Sequence, residues 1–297
     1  MSRLTQAWRS SRFYRHWTAR RLPHFLILGA QKAGTTALVA YLQQHPGIGL
    51  AAEKEVDFFA SDLRYGQGLP WYGAQWDRKL PAGTLRFEAS PNYLFMQQAA
   101  ERIRRRVPNV KLIAILRDPV LRAYSAWQMY RSQLALDPEF YRNYYRTRFM
   151  PAEVAALQPR SAHELQDFSV AIEREAKCLE RGERMQMSVL EPGLYAEQLQ
   201  RYFSLFPREQ LLVLDSNDLR TRRVKILNRV LRFLGLPPWS WSESDLTDVF
   251  VGQWKAPMPQ RAWDFLREYY RESNAQLTSL LDKPPLFARE ERRRASA

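Results

Sequence analysis

The residues best suited to chemistry lie in residues 25–36, which read FLILGAQKAGTT. A short apolar run closed by Gly29 predicts a buried strand, and the residues after the loop have the apolar spacing of a helix. A strand, a glycine-containing loop and a helix in this order direct backbone N–H groups and the helix dipole at a phosphate. The stretch therefore predicts a phosphate-binding loop. The alternative is a tight strand-to-helix turn that carries Lys32 without using it.

The loop departs from a Walker A motif at one position. Gly29 and Gly34 have the spacing of that motif, but Thr35 stands where its lysine belongs, and the loop's own lysine is Lys32. The Walker lysine lies against the β- and γ-phosphates of a nucleoside triphosphate. We therefore expect a phosphate site that is not an ordinary ATP site.

A second candidate phosphate-binding motif is LRDPVLRAYS, residues 116–125. Arg117 follows the apolar run KLIAIL, which predicts a strand, and Asp118 and Pro119 then open a helix as N-cap and first-turn residue. Ser125 lies about two turns along that helix. An arginine fork and a hydroxyl can together hold a terminal phosphate through charge-assisted hydrogen bonds. The alternative is that Arg117 pairs with a local carboxylate and that Ser125 is an ordinary helix residue.

Both motifs need a frame that holds them side by side. Strands are predicted at residues 25–28, 48–52, 85–89, 111–116 and 211–214. Helices are predicted at residues 99–107, 161–181, 194–206, 221–234 and 260–281, while residues 136–160, with three prolines, are expected to form an irregular insertion. The alternation predicts an α/β protein with a P-loop-like three-layer fold, in which helices flank a central parallel β-sheet. Ligands bind such sheets at the carboxyl ends of the strands, so residues 29–36, 88–93 and 117–125 should border one crevice.

Composition limits the classes of partner and the location. The 297 residues include 45 Lys and Arg against 31 Asp and Glu, a net charge of +14, which attracts polyanions, nucleotides or anionic lipid. Cys178 is the only cysteine, so no intramolecular disulfide can form, and no apolar run reaches the ~18 residues of a spanning helix. Residues 1–22 are basic but lack the apolar core of a signal peptide. We therefore expect a cytoplasmic protein, with peripheral membrane contact through residues 1–22 as an open alternative to a packed helix or a basic tail.

The two phosphate motifs together resemble the nucleotide signatures of a known family. KAGTTAL after the first strand, with RDPVLRAYS after a later one, is similar to sulfotransferases that use 3′-phosphoadenosine 5′-phosphosulfate (PAPS). The resemblance continues in EKEVDFF, FEASPNYL, GLYAEQLQRYFSLFP, LLVLD and FLGLPP, and spans about residues 24–238. It is greatest for the heparan-sulfate-type and bacterial sulfotransferases. It implies a basic segment, residues 1–22, followed by a single sulfotransferase domain, residues 23–297.

The resemblance implies PAPS as the donor co-substrate and assigns residues to it. The 5′-phosphosulfate would be held by Gln31, Lys32, Ala33, Gly34, Thr35 and Thr36. Lys32 would stabilise charge on the leaving bridging oxygen, Arg117 and Ser125 would hold the 3′-phosphate, and Lys255 would add a phosphate contact. Sulfuryl transfer depends mostly on positioning and charge stabilisation, so no metal is expected.

The resemblance also places the catalytic base in EKEVDFF, at Glu55. On a strand, Glu53 and Asp57 would face the same side as Glu55; the alternative is that all three are solvated loop charges. The chain departs from the family pattern at Asp57, where some relatives have histidine, and at Ala89, where several have a substrate-contacting lysine. Both departures affect the expected identity of the acceptor more than the expected type of reaction.

The acceptor implied by the resemblance is a hydroxyl or an amine on a carbohydrate or glycoconjugate, and nucleic acid is not expected as a partner. Flat aromatic faces suit sugar rings, so Trp71, Tyr72, Trp76 and the tyrosine-rich residues 141–145 are candidates to line an acceptor cleft. For aromatic residues as a group, packing in the core is the common alternative.

Two other functions compete with sulfuryl transfer. A P-loop kinase or NTPase is suggested by residues 211–215, LLVLD, which resemble a Walker B strand, but Thr35 in place of the Walker lysine argues against it. We interpret Asp215 instead as the cap of the following turn. A non-catalytic protein that binds polyanions or a membrane surface would explain the charge of +14 but not the paired phosphate motifs.

Overall fold

A computed structural model of the chain describes residues 21–76, 80–242, 246–247, 249 and 257–281. Its strands are β1 (Phe25–Gly29), β2 (Ile48–Leu50), β3 (Leu85–Ala89), β4 (Lys111–Leu116), β5 (Leu157–Gln158), β6 (Arg184–Met185) and β7 (Leu211–Asp215). The first helices are α1 (Thr35–Leu42), α2 (Asp62–Gly66), α3 (Gly68–Gly73), α4 (Asn92–Phe95), α5 (Gln97–Arg106), α6 (Pro119–Leu136), α7 (Phe140–Arg148) and α8 (Pro151–Ala155). The remaining helices are α9 (Ala162–Gln166), α10 (Phe168–Glu180), α11 (Tyr195–Leu205), α12 (Ser216–Thr221), α13 (Arg223–Leu234), α14 (Gln260–Tyr269) and α15 (Arg271–Leu281).

The centre of the fold is a five-stranded parallel sheet with the order β2-β3-β1-β4-β7. Strand β1 is buried along its whole length because it lies between β3 and β4, and Phe25 stacks on Phe87 of β3 with ring centroids 4.7 Å apart. Helices flank this sheet. The predicted P-loop-like α/β fold with a central parallel sheet is confirmed, and the near-continuous apolar runs of β1 and β4 are what a strand covered on both faces requires.

Residues 136–160 do not form the irregular insertion expected from their prolines. Helix α6 continues to Leu136, and the segment then forms α7 and α8. Pro151 occupies the first turn of α8, where a missing N–H costs no hydrogen bond, and Pro138 precedes α7. The prolines therefore mark where helices begin.

Helices predicted as single elements are divided by local capping. The predicted helix 161–181 breaks at Asp167, whose carboxylate accepts from the backbone N–H groups of Ser169 at 2.8 Å and Val170 at 3.3 Å. The predicted helix 260–281 is interrupted at Tyr270. The side chain of Tyr270 is fully buried, and its hydroxyl donates to the carbonyl oxygen of Leu190 at 2.8 Å. The first break thus has a local side-chain cap, whereas the second coincides with a long-range hydrogen bond.

Three expectations fall wholly or mostly outside the described residues. Lys255 lies there, and so do residues 1–20 of the basic segment 1–22 and the C-terminal residues 282–297. The predicted contacts of Lys255 and of the basic segment, and the predicted domain limits, stay predictions. No helix within the described ranges is long and apolar enough to cross a membrane.

Candidate active site

The loop between β1 and α1 is shaped by two glycines. Gly29 has a φ of +141°, and a Cβ atom there would lie 2.9 Å from the carbonyl oxygen of Pro91. Gly34, with a φ of +101°, is the N-cap of α1 and provides no side-chain cap. The first turn of α1 also contains no acidic residue, so its backbone N–H groups are not capped by a side chain. Such an end is suited to an anion.

Hydrogen bonds to neighbouring elements hold this loop in place. The N–H of Ala30 donates to the carbonyl oxygen of Ile115 in β4 at 2.7 Å. The hydroxyl of Tyr130, on α6, donates to the side-chain oxygen of Gln31 at 2.9 Å. Ala33 is fully buried, and its N–H donates to the carbonyl oxygen of Ala30 at 3.1 Å. This hydrogen bond within the loop stabilises its turn.

A cleft of about 1420 Å³ opens at the carboxyl ends of the central strands. The predicted site residues that line it are Gln31, Lys32, Gly34, Thr35, Thr36, Glu55, Arg117 and Ser125. Ala33 does not line the cleft, and Lys255 lies outside the described residues. The fold therefore brings three distant segments of the chain to one cavity, as the strand-end rule predicts.

Lys32 adopts a left-handed backbone conformation in the loop, with a φ of 66°. A non-glycine residue in this region is strained, and such strain is common at functional sites. Burial, together with the charges of Arg117 and Arg122, lowers the pKa of Lys32. The cleft is thus strongly cationic at this point, which suits a multiply charged anion.

Arg117 lies directly beside Lys32. Its guanidinium Nη1 donates to the carbonyl oxygen of Lys32 at 3.3 Å, and its own carbonyl accepts from the hydroxyl of Tyr195 at 3.0 Å. The predicted N-cap at Asp118 is confirmed, because its carboxylate accepts from the N–H of Val120 at 2.8 Å. The capped helix α6 then places Ser125 on the same cleft wall.

Glu55 lies on the cleft wall in a turn that is held from both sides. Its φ is 65°, its N–H donates to the carbonyl oxygen of Ala89 at 3.1 Å, and its carbonyl accepts from the guanidinium of Arg148. Its carboxylate pairs with the ammonium of Lys54 and is 34% exposed. The carboxylate of Glu55 is therefore accessible from the cleft while its backbone is fixed.

The prediction that Glu53 and Asp57 share one face of a strand with Glu55 is wrong. No strand forms between residues 51 and 60, and left-handed φ values at Glu55 and Asp57 turn the side chains apart. Glu53 pairs with Arg64 at 3.1 Å and with Arg148 at 3.0 Å. Asp57 is fully buried and pairs with Arg148 at 3.1 Å, so it is not a solvated loop charge. Burial raises the pKa of Asp57 to about 6.

A buried carboxylate that sequence reasoning missed supports the turn from behind. Glu88 in β3 accepts hydrogen bonds from the hydroxyls of Tyr72, Tyr93 and Ser90, the last two at 2.7 and 2.9 Å. The Ser90 hydroxyl in turn accepts from the N–H of Asp57 at 3.0 Å. Burial raises the pKa of Glu88 to about 7. The signal that could have revealed it was an acidic residue between the apolar Phe87 and Ala89 of a predicted strand.

Arg148 was also not identified from the sequence, and no local sequence pattern indicates its role. It lies at the end of α7, 93 positions from Glu55, and its guanidinium reaches Glu53, Asp57 and the carbonyl of Glu55. The contacts exist only because α7 packs over the turn. Arg148 thereby joins the predicted insertion to the segment that carries Glu55.

The aromatic residues proposed for an acceptor cleft divide into two groups. Tyr72 and Trp76 are buried in the core, and neither they nor Trp71 line the cleft, so that prediction is wrong for these three. Their rings pack with one another and with the phenylalanines of the turn, as between Phe58 and Tyr72 with centroids 4.3 Å apart. Within the tyrosine-rich stretch, residues 141, 144 and 145 do line the cleft.

Comparison with known proteins identifies the family. A model of the sulfotransferase domain matches residues 22–250. Human bifunctional heparan sulfate N-deacetylase/N-sulfotransferase 3 is 33% identical over 90% of this chain and 30% of its own length. Human heparan sulfate glucosamine 3-O-sulfotransferase 5 is 29% identical over 75% of this chain and 56% of its own length. The chain thus spans less than a third of the first relative and little more than half of the second.

A solved structure agrees with this assignment at the level of the fold. The sulfotransferase from Alicyclobacillus acidocaldarius superimposes with a TM-score of 0.65 at 24% identity, covering 89% of this chain and 97% of that chain. With a family match over residues 22–250 and both phosphate motifs at one cleft, the chain belongs to the sulfotransferase family, whose members are enzymes that transfer sulfuryl groups.

Proposed function

We propose that this protein transfers a sulfuryl group from PAPS to a hydroxyl, or an amine, on a carbohydrate acceptor. The observation that carries the proposal is the arrangement of the cleft: the uncapped start of α1 and Arg117 meet at Lys32, and Glu55 lines the same cavity. Each is suited to one part of the reaction, namely donor binding, charge stabilisation and proton removal.

The residues present fit a donor with two anionic ends. The first-turn N–H groups at Gly34, Thr35 and Thr36 suit the 5′-phosphosulfate, and Arg117 with Ser125 suits the 3′-phosphate that distinguishes PAPS from ATP. Lys255 is proposed as a further phosphate contact, although it lies outside the described residues. When bound, the donor supplies an activated sulfuryl group.

Lys32 and Glu55 would carry the chemistry of the protein itself. The ammonium of Lys32 stabilises negative charge on the bridging oxygen as the sulfur–oxygen bond to phosphate breaks. The carboxylate of Glu55 takes the proton of the acceptor as the new bond to sulfur forms. Charge stabilisation by a fixed lysine needs no metal, and a metal-free reaction stays a prediction.

Glu55 is a better candidate base than its acidic neighbours for a structural reason. Asp57 is fully buried against Arg148, and Glu53 is held between Arg64 and Arg148. The carboxylate of Glu55 lines the cleft and is paired with the lysine next to it in sequence. A base must reach the proton that it removes, so geometry favours Glu55.

The competing functions account for less of the structure. Asp215 caps α12 by accepting from the N–H of Asn217 at 2.7 Å, as expected for a capping residue. Asp215 suggested a kinase because it resembled the aspartate of a Walker B strand. Its role as a helix cap accounts for it without that function. A non-catalytic polyanion binder would not need an accessible carboxylate within a cationic cleft. Both relatives named above act, by their names, on heparan sulfate, which supports a carbohydrate acceptor here.

The test compares three nucleotides without metal. Isothermal calorimetry should give much tighter binding for adenosine 3′,5′-bisphosphate than for 5′-AMP or ATP, in buffer with a chelator. Transfer of radiolabelled sulfate from PAPS to a panel of sugars and phenols then tests the reaction. Equal affinity for adenosine 3′,5′-bisphosphate and 5′-AMP would reject the assignment of the 3′-phosphate site, and a requirement for magnesium would favour a kinase. The expected cytoplasmic location stays a prediction, tested by fractionation of cells.

A further inference from the structure

A row of aromatic rings lines the cleft between the phosphate loop and the turn that carries Glu55. We define the aromatic row as Tyr130, Tyr141, Tyr144, Tyr145 and Phe149, all of which line the cleft. Ring centroids are 5.3 Å apart between Tyr130 and Tyr141, 6.3 Å between Tyr141 and Tyr144, and 6.1 Å between Tyr144 and Phe149. The row is thus continuous from α6 along α7 to Phe149, the C-cap residue of α7.

The ends of the row lie against the proposed catalytic elements. At one end the Tyr130 hydroxyl donates to Gln31 of the phosphate loop at 2.9 Å. Further along, the Tyr144 hydroxyl donates to Asp57 at 3.4 Å, two residues from Glu55. An acceptor bound along the row would therefore lie beside both the donor loop and the proposed base.

The row presents ring surface to the cleft because its polar ends are used inside the protein. The Tyr145 hydroxyl accepts from the N–H of Met187 at 2.8 Å, and the Tyr144 hydroxyl accepts from the amide of Asn92 at 2.8 Å. Apolar side chains extend this wall, among them Met129, Met185 and Met187. Such a surface binds by apolar contact and ring stacking.

Charge in this half of the cleft does not suit a polyanion. Arg220 and Arg223 also line the cleft, and they follow Ser216 and Leu219, which lie beside Gly34 on the donor side. Within the described residues, the charged side chains that line the cleft away from the phosphate-binding loop are Glu55, Glu153, Glu183 and Arg184. Arg184 is paired with Glu191 at 2.9 Å. Two other cations of α7 are exposed and engaged outside the cleft, Arg142 with Glu139 and Arg146 with Asn143. A sulfated polysaccharide needs a track of available cations, and the one cation in this part of the described cleft, Arg184, is already paired.

Exposed apolar side chains flank the two ends of α7, which carries most of the aromatic row. Leu136 at the end of α6 is 81% exposed, Phe140 at the start of α7 is 37% exposed, and Met150 before α8 is 41% exposed. Phe140 itself lines the cleft, with its ring centroid 5.0 Å from that of Tyr141. The exposed ring of Phe140, in contact with the row, therefore offers apolar surface to a ligand.

We propose that the acceptor is an uncharged amphiphile: a neutral sugar headgroup that carries an apolar chain or ring. This inference rests on the proposed function. The headgroup lies along the aromatic row beside Glu55, and the apolar part extends over Phe140. A sulfated glycan such as the heparan sulfate in the relatives' names is disfavoured, because Arg184, the one cation that lines this part of the described cleft, is paired with Glu191.

The test uses acceptors that differ only in their apolar part. Binding to the enzyme in complex with adenosine 3′,5′-bisphosphate is measured for octyl β-maltoside, below its micelle concentration, for methyl β-maltoside and for N-desulfated heparin. Burial of two or three methylenes should make octyl maltoside bind roughly 15- to 60-fold tighter than methyl maltoside. Initial rates of sulfate transfer from PAPS should follow the same order, with N-desulfated heparin last.

A matched pair of variants tests whether Phe140 contributes to the tighter binding of octyl maltoside. Phe140→Ser should reduce the advantage of octyl over methyl maltoside by about threefold or more. Val224→Ser, which changes a residue of similar exposure on α13, should leave all affinities and rates unchanged. Equal binding of the two maltosides, or tighter binding of N-desulfated heparin, overturns the inference while leaving the donor assignment intact. Failure to bind adenosine 3′,5′-bisphosphate would instead reject the proposed function. In that case the affinities of octyl and methyl maltoside for the free enzyme still test the inference about the acceptor.

Discussion

The guanidinium of Arg117 and the carbonyl of Lys32, from motifs 85 positions apart, are joined by a hydrogen bond of 3.3 Å. The contact couples the residue assigned to the 3′-phosphate with the residue assigned to the leaving oxygen. Because Lys32 is held in a left-handed conformation, the bond from Arg117 also helps to fix the loop before a donor binds. Preorganisation of this kind reduces the cost of binding a charged ligand.

Because Arg117 is assigned to the 3′-phosphate, its removal should weaken binding of that phosphate more than binding of the rest of the donor. Arg117→Ala should weaken binding of adenosine 3′,5′-bisphosphate by roughly 2–5 kcal/mol, because a charge-assisted contact is lost. Binding of 5′-AMP, which lacks the 3′-phosphate, should change far less. Calorimetry with both nucleotides measures the difference, and Arg105→Ala, an exposed arginine on α5, is the control. An equal loss for both nucleotides would place Arg117 elsewhere than at the 3′-phosphate.

Removal of Lys32 should affect turnover more than binding. Negative charge on the leaving oxygen grows only as the transition state forms, so Lys32→Ala should lower kcat by about two to three orders of magnitude. Single-turnover transfer from PAPS measures the rate, and calorimetry measures donor affinity. If affinity falls as much as the rate does, Lys32 is a ground-state binding residue.

Replacement of the proposed base should leave the donor site intact. Glu55→Gln keeps the shape of the side chain but cannot accept a proton, so the rate should fall roughly 10²–10⁴-fold. Nucleotide affinity should barely change. Glu53→Gln and Asp57→Asn are the comparison variants in the same single-turnover assay. A near-full rate for Glu55→Gln would move the base to one of those two residues.

Arg148 should act as a positioning residue for Glu55. Arg148→Met removes the cation from the buried carboxylate of Asp57, which should destabilise the protein by about 3 kcal/mol above pH 6. The loss should shrink at lower pH, because Asp57 becomes protonated and no longer needs the cation. The displaced turn should also lower kcat by up to about 100-fold.

Denaturant unfolding across pH, with transfer rates at each pH, tests both parts of that prediction. Arg146→Met, at an exposed position on the same helix, is the control. A pH-independent loss of stability would mean that Arg148 contributes packing alone.

Glu88 should make the stability of the fold depend on pH. Its pKa is raised from 4.5 to about 7, so its protonated form stabilises the fold fully below pH 4.5, and this contribution is lost as pH rises through 7. Glu88→Gln removes the titration. The variant should gain stability relative to the wild type between pH 5 and 7.5, by up to about 3 kcal/mol. Urea unfolding of both proteins over this range measures the gain, and parallel pH curves would show that Glu88 is ionised throughout.

The fold and the donor loop could be predicted because their signals are local. The apolar runs of β1 and β4 and the glycines around Lys32 each determine the structure of their own few residues. Buried strands require apolar residues, and tight turns with positive φ require glycine. Asp118 and Asp215 could be assigned as caps for the same reason. The rule that ligands bind at the carboxyl ends of parallel strands then placed both phosphate motifs at one cleft.

Tertiary structure alone decided what surrounds Glu55. No pattern within residues 53–57 reveals that Asp57 is buried and paired while Glu55 lines the cleft, because the difference is made by Arg148, 91 positions from Asp57. The prolines of residues 136–160 suggested irregular chain, whereas Pro138 precedes α7, which carries three tyrosines of the aromatic row, and Pro151 begins α8. Long-range packing assigns these residues their neighbours, and neighbours determine whether a carboxylate is a base, an ion-pair partner or a buried acid.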